Sequence, residues 1–343
     1  MTCTMRLAYD AEAIALGAKL LRAGKLVAFP TETVYGLGAN ALDGQAVEGI
    51  FVAKGRPADN PLIVHVGSLG QVDALVDTIP PLAHRLMRAF WPGPLTLVLG
   101  RSHAVPCVVS GGLETVAVRM PDHPVALALL RAARVPVAAP SANVSGRPSP
   151  TTADHVLADL GGRIAAVVDG GHCPLGVEST VLDVTQCPPV ILRPGGVTLE
   201  QLSEYTPLGT VTDQDHASLR RSPGQRYGHY SPRTPLVLVE GESRQEIAEE
   251  ITKRITRCQR RGLRAGVLAT QENAQRYGDI PILVLGSYSE PQIVSARLFG
   301  ALRQVDEWGV DVVYCEALPE VGLGRAIMDR LRRAAAGRDG KGG

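Results

Sequence analysis

A chain of 343 residues is long enough for two domains, each burying its own core. With 45% hydrophobic and only 4% aromatic residues, it has the balance of an Ala/Val/Leu-rich α/β protein. A net charge of +1, with 15 Lys/Arg against 17 Asp/Glu in residues 1–207 and 20 against 17 in the rest, excludes the global basic field that drives nonspecific nucleic-acid binding. The six cysteines are scattered without a C-x-x-C pair, which gives neither a zinc motif nor a disulfide framework. No apolar run approaches the ~18 residues that span a bilayer. The N-terminus lacks the apolar stretch of a signal peptide, so a cytoplasmic protein is expected.

Asp10 is placed to cap a helix over about 11–23, with Gly24 as its stop. Leu26-Val-Ala-Phe29 reads as a strand running into Pro30-Thr-Glu-Thr-Val-Tyr-Gly-Leu-Gly38, which reads as a turn rich in hydroxyls and backbone donors. The Gly36-x-Gly38 pair lacks the third glycine of a dinucleotide-binding fingerprint. Asp43 caps a second predicted helix that feeds Lys54-Gly-Arg-Pro-Ala-Asp-Asn-Pro-Leu-Ile-Val-His65. There a glycine and two prolines end the helix before a short β-branched strand, interrupted by His65. This stretch supplies a planar guanidinium, a point charge and an amide, a set suited to phosphate or carboxylate. Its bland alternative is a solvated turn.

Helical segments are expected near 68–76 and 81–90. Trp91-Pro-Gly-Pro94 forces a turn before the strand Leu95–Leu99, with Trp91 as a packing anchor. Glu114–Arg119 alternates as a strand, and Arg119 is either a surface strand end or an anion clamp. Val135–Ala139 then delivers Ser141, Asn143 and Ser145 onto a Gly/Pro-punctuated loop, where α/β proteins often bind ligands. Strands over Ala165–Asp169, Ser179–Val184 and from Val190 to Arg193 complete the first part. Four strand-to-loop junctions (Arg56/His65, Arg119, Ser141/Asn143 and Arg193) therefore carry polar or cationic groups, which points to one cleft lined for anions.

From about Thr206 to Pro235 the pattern fails, and Ser222-Pro-Gly-Gln-Arg-Tyr-Gly-His-Tyr-Ser-Pro232 carries aromatics and arginines that a plain linker lacks. A smaller unit follows, with strands at 236–239, 264–269, near 282–285 and 310–314. Helices at about 243–261, 291–307 and from Gly324 alternate with them, the pattern of a parallel, Rossmann-like sheet. The expected organisation is a domain over 1–207, a linker over 208–235 and a second domain over 236–343.

Phe29-Pro-Thr-Glu-Thr-Val-Tyr-Gly-Leu-Gly38, Lys54-Gly-Arg56, Pro140-Ser-Ala-Asn143 and the Ser222–Pro232 run, taken in order, resemble the Sua5/YrdC family in its two-domain Sua5 form. The resemblance implies a twisted mixed YrdC-like sheet with helices as the catalytic domain, plus a small Rossmann-like Sua5 domain. It implies a nucleotidyltransferase that makes L-threonylcarbamoyladenylate from L-threonine, bicarbonate or CO2, and ATP. The product would serve N6-threonylcarbamoyladenosine formation at position 37 of tRNAs reading ANN codons.

On this resemblance Lys54 and Arg56 meet phosphates and carry the catalysis. Asn60, Thr115, Ser141, Asn143, Ser149 and Arg193 complete the ATP site, with His229 or Tyr230 arriving from the linker. Thr33, His65, Arg119, Ala139 and Ser179 form the L-threonine site, His65 acting as a base or as a neutral orienting group. Mg2+ accompanies ATP without an evident set of protein ligands, and no Walker A motif is present. A downstream tRNA threonylcarbamoyl transferase is the expected partner, with at most a transient contact to tRNA and none to a membrane. Two other classes fit parts of the pattern: a double-stranded RNA or tRNA-binding module, and a carbamoyl-transfer domain of the hydrogenase-maturation type. The cysteine distribution lacks the zinc signature of the latter.

Overall fold

The computed structural model describes residues 3–209 and 230–336. These fall into two compact units, one of Met1–Ser145 with Ser149–Tyr227, the other of Gly146–Pro148 with Gly228–Gly343. No shift in composition marks the reassignment of Gly146–Pro148. His229 and most of the 208–235 segment lie outside the described residues.

In the first unit Asp10 accepts the Ala13 N–H at 2.7 Å and starts α1 (Ala11–Arg22). Strands β1 (Met5–Ala8), β2 (Val27–Phe29) and β3 (Gly36–Asn40) precede and follow it. Asp43 caps α2 (Gly44–Lys54), which ends on Gly55 in the left-handed region at φ 61°. Gly55 turns the chain at the cost-free position for glycine, so Lys54 closes the helix and Arg56 opens the next loop.

The remaining elements are β4 (Ile63–His65), α3 (Pro81–Phe90), β5 (Leu95–Gly100), the single turn α4 (Cys107–Ser110) and β6 (Thr115–Arg119). After them come α5 (Pro124–Ala133), β7 (Val137–Ala138), α6 (Ala153–Leu160), β8 (Ala166–Asp169), β9 (Thr180–Asp183), β10 (Val190–Arg193) and α7 (Leu199–Ser203). The ten strands form one mixed sheet in the order β1-β8-β2-β3-β7-β4-β6-β5-β9-β10. The expected mixed α/β sheet is the one observed.

Strict alternation sorts the strand residues onto two faces. One face, with Leu37, Val64, Leu97, Val118 and Leu182, packs into the main core with Ile50 and Phe51 of α2, Leu86 of α3 and Val156 of α6. The opposite face is covered in two ways. Over β1, β8, β2, β3 and β7, Phe29, Val137 and Val168 pack against Ile14 and Leu21 of α1 and Leu129 of α5. Over β4, β6, β5, β9 and β10, the apolar cluster of Ile63, Val98, Ala117, Val181, Val190 and Leu192 consists of strand residues alone. This second half is where the polar strand ends gather.

Two local expectations are corrected. Gly36 and Gly38 begin a strand rather than end a turn. A Cβ on Gly38 would lie 2.8 Å from both Phe29 Cε1 and Val137 Cγ1, so glycine is required by the ring that crosses β3. The helix expected near 68–76 is a single 3-10 turn, Leu69–Gln71.

The second unit is a four-stranded parallel sheet, ordered β11 (Leu236–Val239), β14 (Val312–Glu316), β12 (Ala265–Thr270), β13 (Ile282–Gly286). Helices α8 (Arg244–Arg260), α9 (Pro291–Gln304) and α10 (Gly324–Ala336) complete it. The periodic reading placed the last strand two residues too early. The C-terminal end of β14 carries Glu316, fully buried, which accepts from Thr270 Oγ1 at 2.6 Å, Tyr277 Oη at 2.5 Å and Asn273 Nδ2 at 3.2 Å.

Candidate active site

The register of the sheet brings His65, Arg119, Ala139, Ser179 and Arg193 onto one face. His65 pairs with Arg119 across β4 and β6, and Val64 and His65 pair with Ala138 and Val137 across β7. The Ala139 N–H donates to Ile63 O at 2.9 Å, so Ala139 follows on the same face. Thr180 lies opposite Leu95 and Arg193 opposite Val181, so Ser179 and Arg193 belong to this face as well.

Two ends can be distinguished along β4 and β6. Thr115 opens β6 and Arg119 closes it, about 13 Å apart at strand rise. Carrying the β4–β6 register back two residues sets Pro61 beside Thr115. At that end Arg56 Nη2 donates to Pro61 O at 3.0 Å and to Asn60 O at 3.3 Å. Beyond Ala139 the chain runs the same way, and Lys54 Nζ donates to Ser141 O at 2.5 Å and Asn143 O at 2.6 Å. Lys54, Arg56, Asn60, Thr115, Ser141 and Asn143 thus collect at one end.

Lys54 departs from the picture of a cation displayed to solvent. It is 2% exposed, and burial pushes its pKa well below the usual lysine range, with the Arg56 charge acting in the same direction. Two of its three N–H donors hold the Pro140–Asn143 loop. Its role in this structure is to shape that loop.

The other end is built around Arg119. Its Nε donates to Gly93 O at 3.2 Å and its Nη1 to Thr33 Oγ1 at 3.0 Å. Its Nη2 lies 2.6 Å from Glu32 Oε1, both side chains being buried. The contact is close but poorly directed: neither Glu32 oxygen nor Arg119 Nη2 completes a hydrogen bond among the described residues. His65 Nδ1 is likewise buried and completes no hydrogen bond among the described residues. Burial, reinforced by the Arg119 charge, pushes the His65 imidazole down to about 3, so it is neutral near pH 7. Of Arg119's two readings, burial removes the surface strand end, and the guanidinium faces Glu32 within the protein.

Ser149 and Arg193, which the resemblance assigns to the nucleotide, are hydrogen-bonded to Glu178 and Ser179 beside the second end. Ser149 Oγ donates to Glu178 Oε1 at 2.6 Å. Arg193 Nη2 donates to Ser179 O at 2.9 Å and to Ser179 Oγ at 3.2 Å, while Ser179 Oγ also shares a hydrogen bond of 2.7 Å with Thr96 Oγ1. Tyr230 is 5% exposed and engaged within the second unit: its ring lies 5.1 Å from that of Phe299, with the Arg330 guanidinium 5.6 Å from its centroid. His229 lies outside the described residues. Glu178 and Thr96 were not singled out from sequence. Glu32 belongs to the Pro30–Gly38 turn read there as converging on a small polar ligand, but it was given no site role.

Residues 19–195 match the family model described as "Telomere recombination", which unites Sua5, YciO and YrdC. Residues 197–336 match that described as "Threonylcarbamoyl-AMP synthase, C-terminal domain". The chain belongs to the Sua5 family.

Within that family it is 47% identical over 327 residues to the threonylcarbamoyl-AMP synthase of Pyrococcus abyssi, covering 94% of each chain. It is 49% identical over 332 residues to the enzyme of the same name from Bacillus subtilis, covering 95% of this chain and 93% of that one. The crystal structure of P. abyssi Sua5 complexed with L-threonine matches with a TM-score of 0.89 at 45% identity, covering 98% of both chains. Both the catalytic sheet and the parallel C-terminal sheet are therefore Sua5 features. Among the described residues no helix is long and apolar enough to cross a membrane.

Proposed function

We propose that this chain is a threonylcarbamoyl-AMP synthase, an adenylate-forming nucleotidyltransferase. The observation that carries the reading is the buried group of His65 Nδ1, Arg119 Nη2 and the Glu32 oxygens, at the end of the sheet opposite the Lys54–Arg56 loop: Arg119 and Glu32 form an ion pair, yet none of these atoms completes a hydrogen bond among the described residues. Buried polar atoms are satisfied in nearly all native sites, so a cluster of such groups points to a polar ligand that completes them. L-Threonine supplies a carboxylate for Arg119 and a hydroxyl for neighbours such as Thr33 and the neutral His65. Ser179 and the Ala139 backbone line the same face.

The threonine amine adds to bicarbonate or CO2 to give a carbamate, whose oxygen attacks the α-phosphate of ATP and expels pyrophosphate. No side chain need act as a nucleophile; positioning and charge neutralisation suffice. Arg56 is the guanidinium set to meet phosphate, and Asn60, Thr115, Ser141 and Asn143 supply polar contacts at that end. Lys54 acts by holding the carbonyls of Ser141 and Asn143.

Mg2+ would travel with the triphosphate. Among the described residues no three His, Cys, Asp or Glu side chains come together, so phosphate and water oxygens would provide its ligands, as is usual for this ion. The product would pass in the cytoplasm to a tRNA threonylcarbamoyl transferase for modification of adenosine 37, with only transient tRNA contact. The test is pyrophosphate release from ATP with L-threonine and bicarbonate omitted in turn. Release that requires both is expected; release indifferent to threonine would refute the assignment.

A further inference from the structure

We propose that Glu32 recognises the amino group of the substrate and takes its proton, so that Arg119 and Glu32 together read the two charges of a free α-amino acid. The inference rests on the synthase reading given above. Glu32 sits in the turn between β2 and β3, 8% exposed, and both its oxygens are buried without a hydrogen-bond partner among the described residues. A carboxylate buried for structural reasons is ordinarily saturated with donors, as Glu316 is in the second unit. Glu32 instead pairs with Arg119 Nη2 at 2.6 Å in an alignment short of a directed hydrogen bond, and its Oε2 has no hydrogen-bond partner among the described residues.

The guanidinium cannot swing away to correct this, because Gly93 O and Thr33 Oγ1 hold its other nitrogens. The backbone of Glu32 is also fixed, its carbonyl accepting the Leu175 N–H at 2.8 Å. An α-amino acid carries a carboxylate and an ammonium one carbon apart. Its head group can therefore complete Arg119 with the first and Glu32 with the second.

The reaction needs the neutral amine, and His65, held neutral by burial, is a poor acceptor for the proton. Glu32 takes one proton from the ammonium, and the freed lone pair forms the new C–N bond to the carbon of bicarbonate. Hydroxide leaves that carbon as water with the proton from Glu32, and the second nitrogen proton passes to solvent as the carbamate forms. One proton is released overall. The other titratable groups that face Glu32 are Arg119 on β6, His123 ahead of α5 and Cys173 in the loop after β8.

The test compares wild type, Glu32→Gln and Glu32→Asp in pyrophosphate release across a pH series, and in calorimetric binding of L-threonine and of its deaminated analogue 2,3-dihydroxybutanoate. Glu32→Gln should lower the threonine-dependent rate by about 100-fold or more, the usual contribution of a proton acceptor. Its residual rate should climb tenfold per pH unit as solvent takes over deprotonation. The preference of wild type for threonine over the analogue should collapse in Glu32→Gln, and Glu32→Asp should recover part of both. A wild-type rate, or a lowered rate with unchanged pH profile and unchanged preference, would overturn the proposal. If Glu32→Gln fails to fold, Glu32→Asp and the wild-type preference decide it: no preference for threonine over the analogue sinks it. Pyrophosphate release by wild type that ignores threonine would instead refute the synthase reading.

Discussion

Replacing His65 by Gln isolates one contribution to the acid stability of the first unit. In the fold the imidazole titrates at about 3, because burial disfavours the cation and Arg119 repels it. In the unfolded chain it returns to about 6.5. Above that value neither state holds the proton, and His65 adds no pH dependence. As the pH falls through 6.5 the unfolded chain takes up a proton that the folded chain refuses, so stability declines until about pH 3. Between pH 7 and pH 4 this linkage amounts to about 3 kcal/mol. The chain has 2 tryptophans, Trp91 in the first unit and Trp308 in the second, so a Trp308→Phe background leaves fluorescence reporting on the first unit alone. Denaturant titrations of that background with and without His65→Gln, from pH 7 to pH 4, give the difference directly, since groups common to both cancel. The gap should shift in favour of His65→Gln by about 3 kcal/mol on acidification. Curves that stay parallel within ~0.5 kcal/mol would refute the claim that the fold excludes the charged imidazole.

Arg56→Ala should abolish threonine-dependent pyrophosphate release while leaving the melting temperature near wild type, because Arg56 donates to two loop carbonyls rather than to a core group; full activity would remove it from the phosphate end. Gly38→Ala places a methyl 2.8 Å from Phe29 and Val137, and should cost about 1–3 kcal/mol in the Trp91-monitored transition. Glu316→Gln turns one of two acceptor oxygens into an NH2 donor, either Oε2, which serves Thr270 and Asn273, or Oε1, which serves Tyr277, and should destabilise the second unit by on the order of 3 kcal/mol, read from Trp308 in a Trp91→Phe background. An unchanged midpoint there would mean these donors find other acceptors.

Elements that bury a face through simple alternation or a helical period were legible from the sequence. The parallel C-terminal sheet is the clearest case, since β-branched runs alternate there with long amphipathic helices. The strand β3 was not, because Gly36-Leu-Gly-Ala-Asn40 lacks the β-branched residues that mark strands. Its glycines answer to a neighbour 9 residues upstream in sequence, the Phe29 ring that lies over Gly38. A local pattern cannot report a constraint imposed from across the sheet. The same holds for Gly146–Pro148, which groups with the second unit although the sequence around it runs on without a break.

The site shows the deeper limit. Of the polar strand ends counted in the sequence, His65, Arg119 and Arg193 share one face of the sheet. That count could not say how many donors each cation has left to offer. Lys54 gives two of its three to the carbonyls of Ser141 and Asn143, and Arg193 gives Nε and Nη2 to the Ser179 carbonyl. Glu32, which by charge alone argues against an anion site, is ion-paired with Arg119, and neither of its oxygens completes a hydrogen bond among the described residues. A sequence lists donors and acceptors; only the fold subtracts those already satisfied within the protein. What remains beside Arg119 after that subtraction is an ion pair short of directed hydrogen bonds and a neutral imidazole, the arrangement on which the proposed threonine assignment rests.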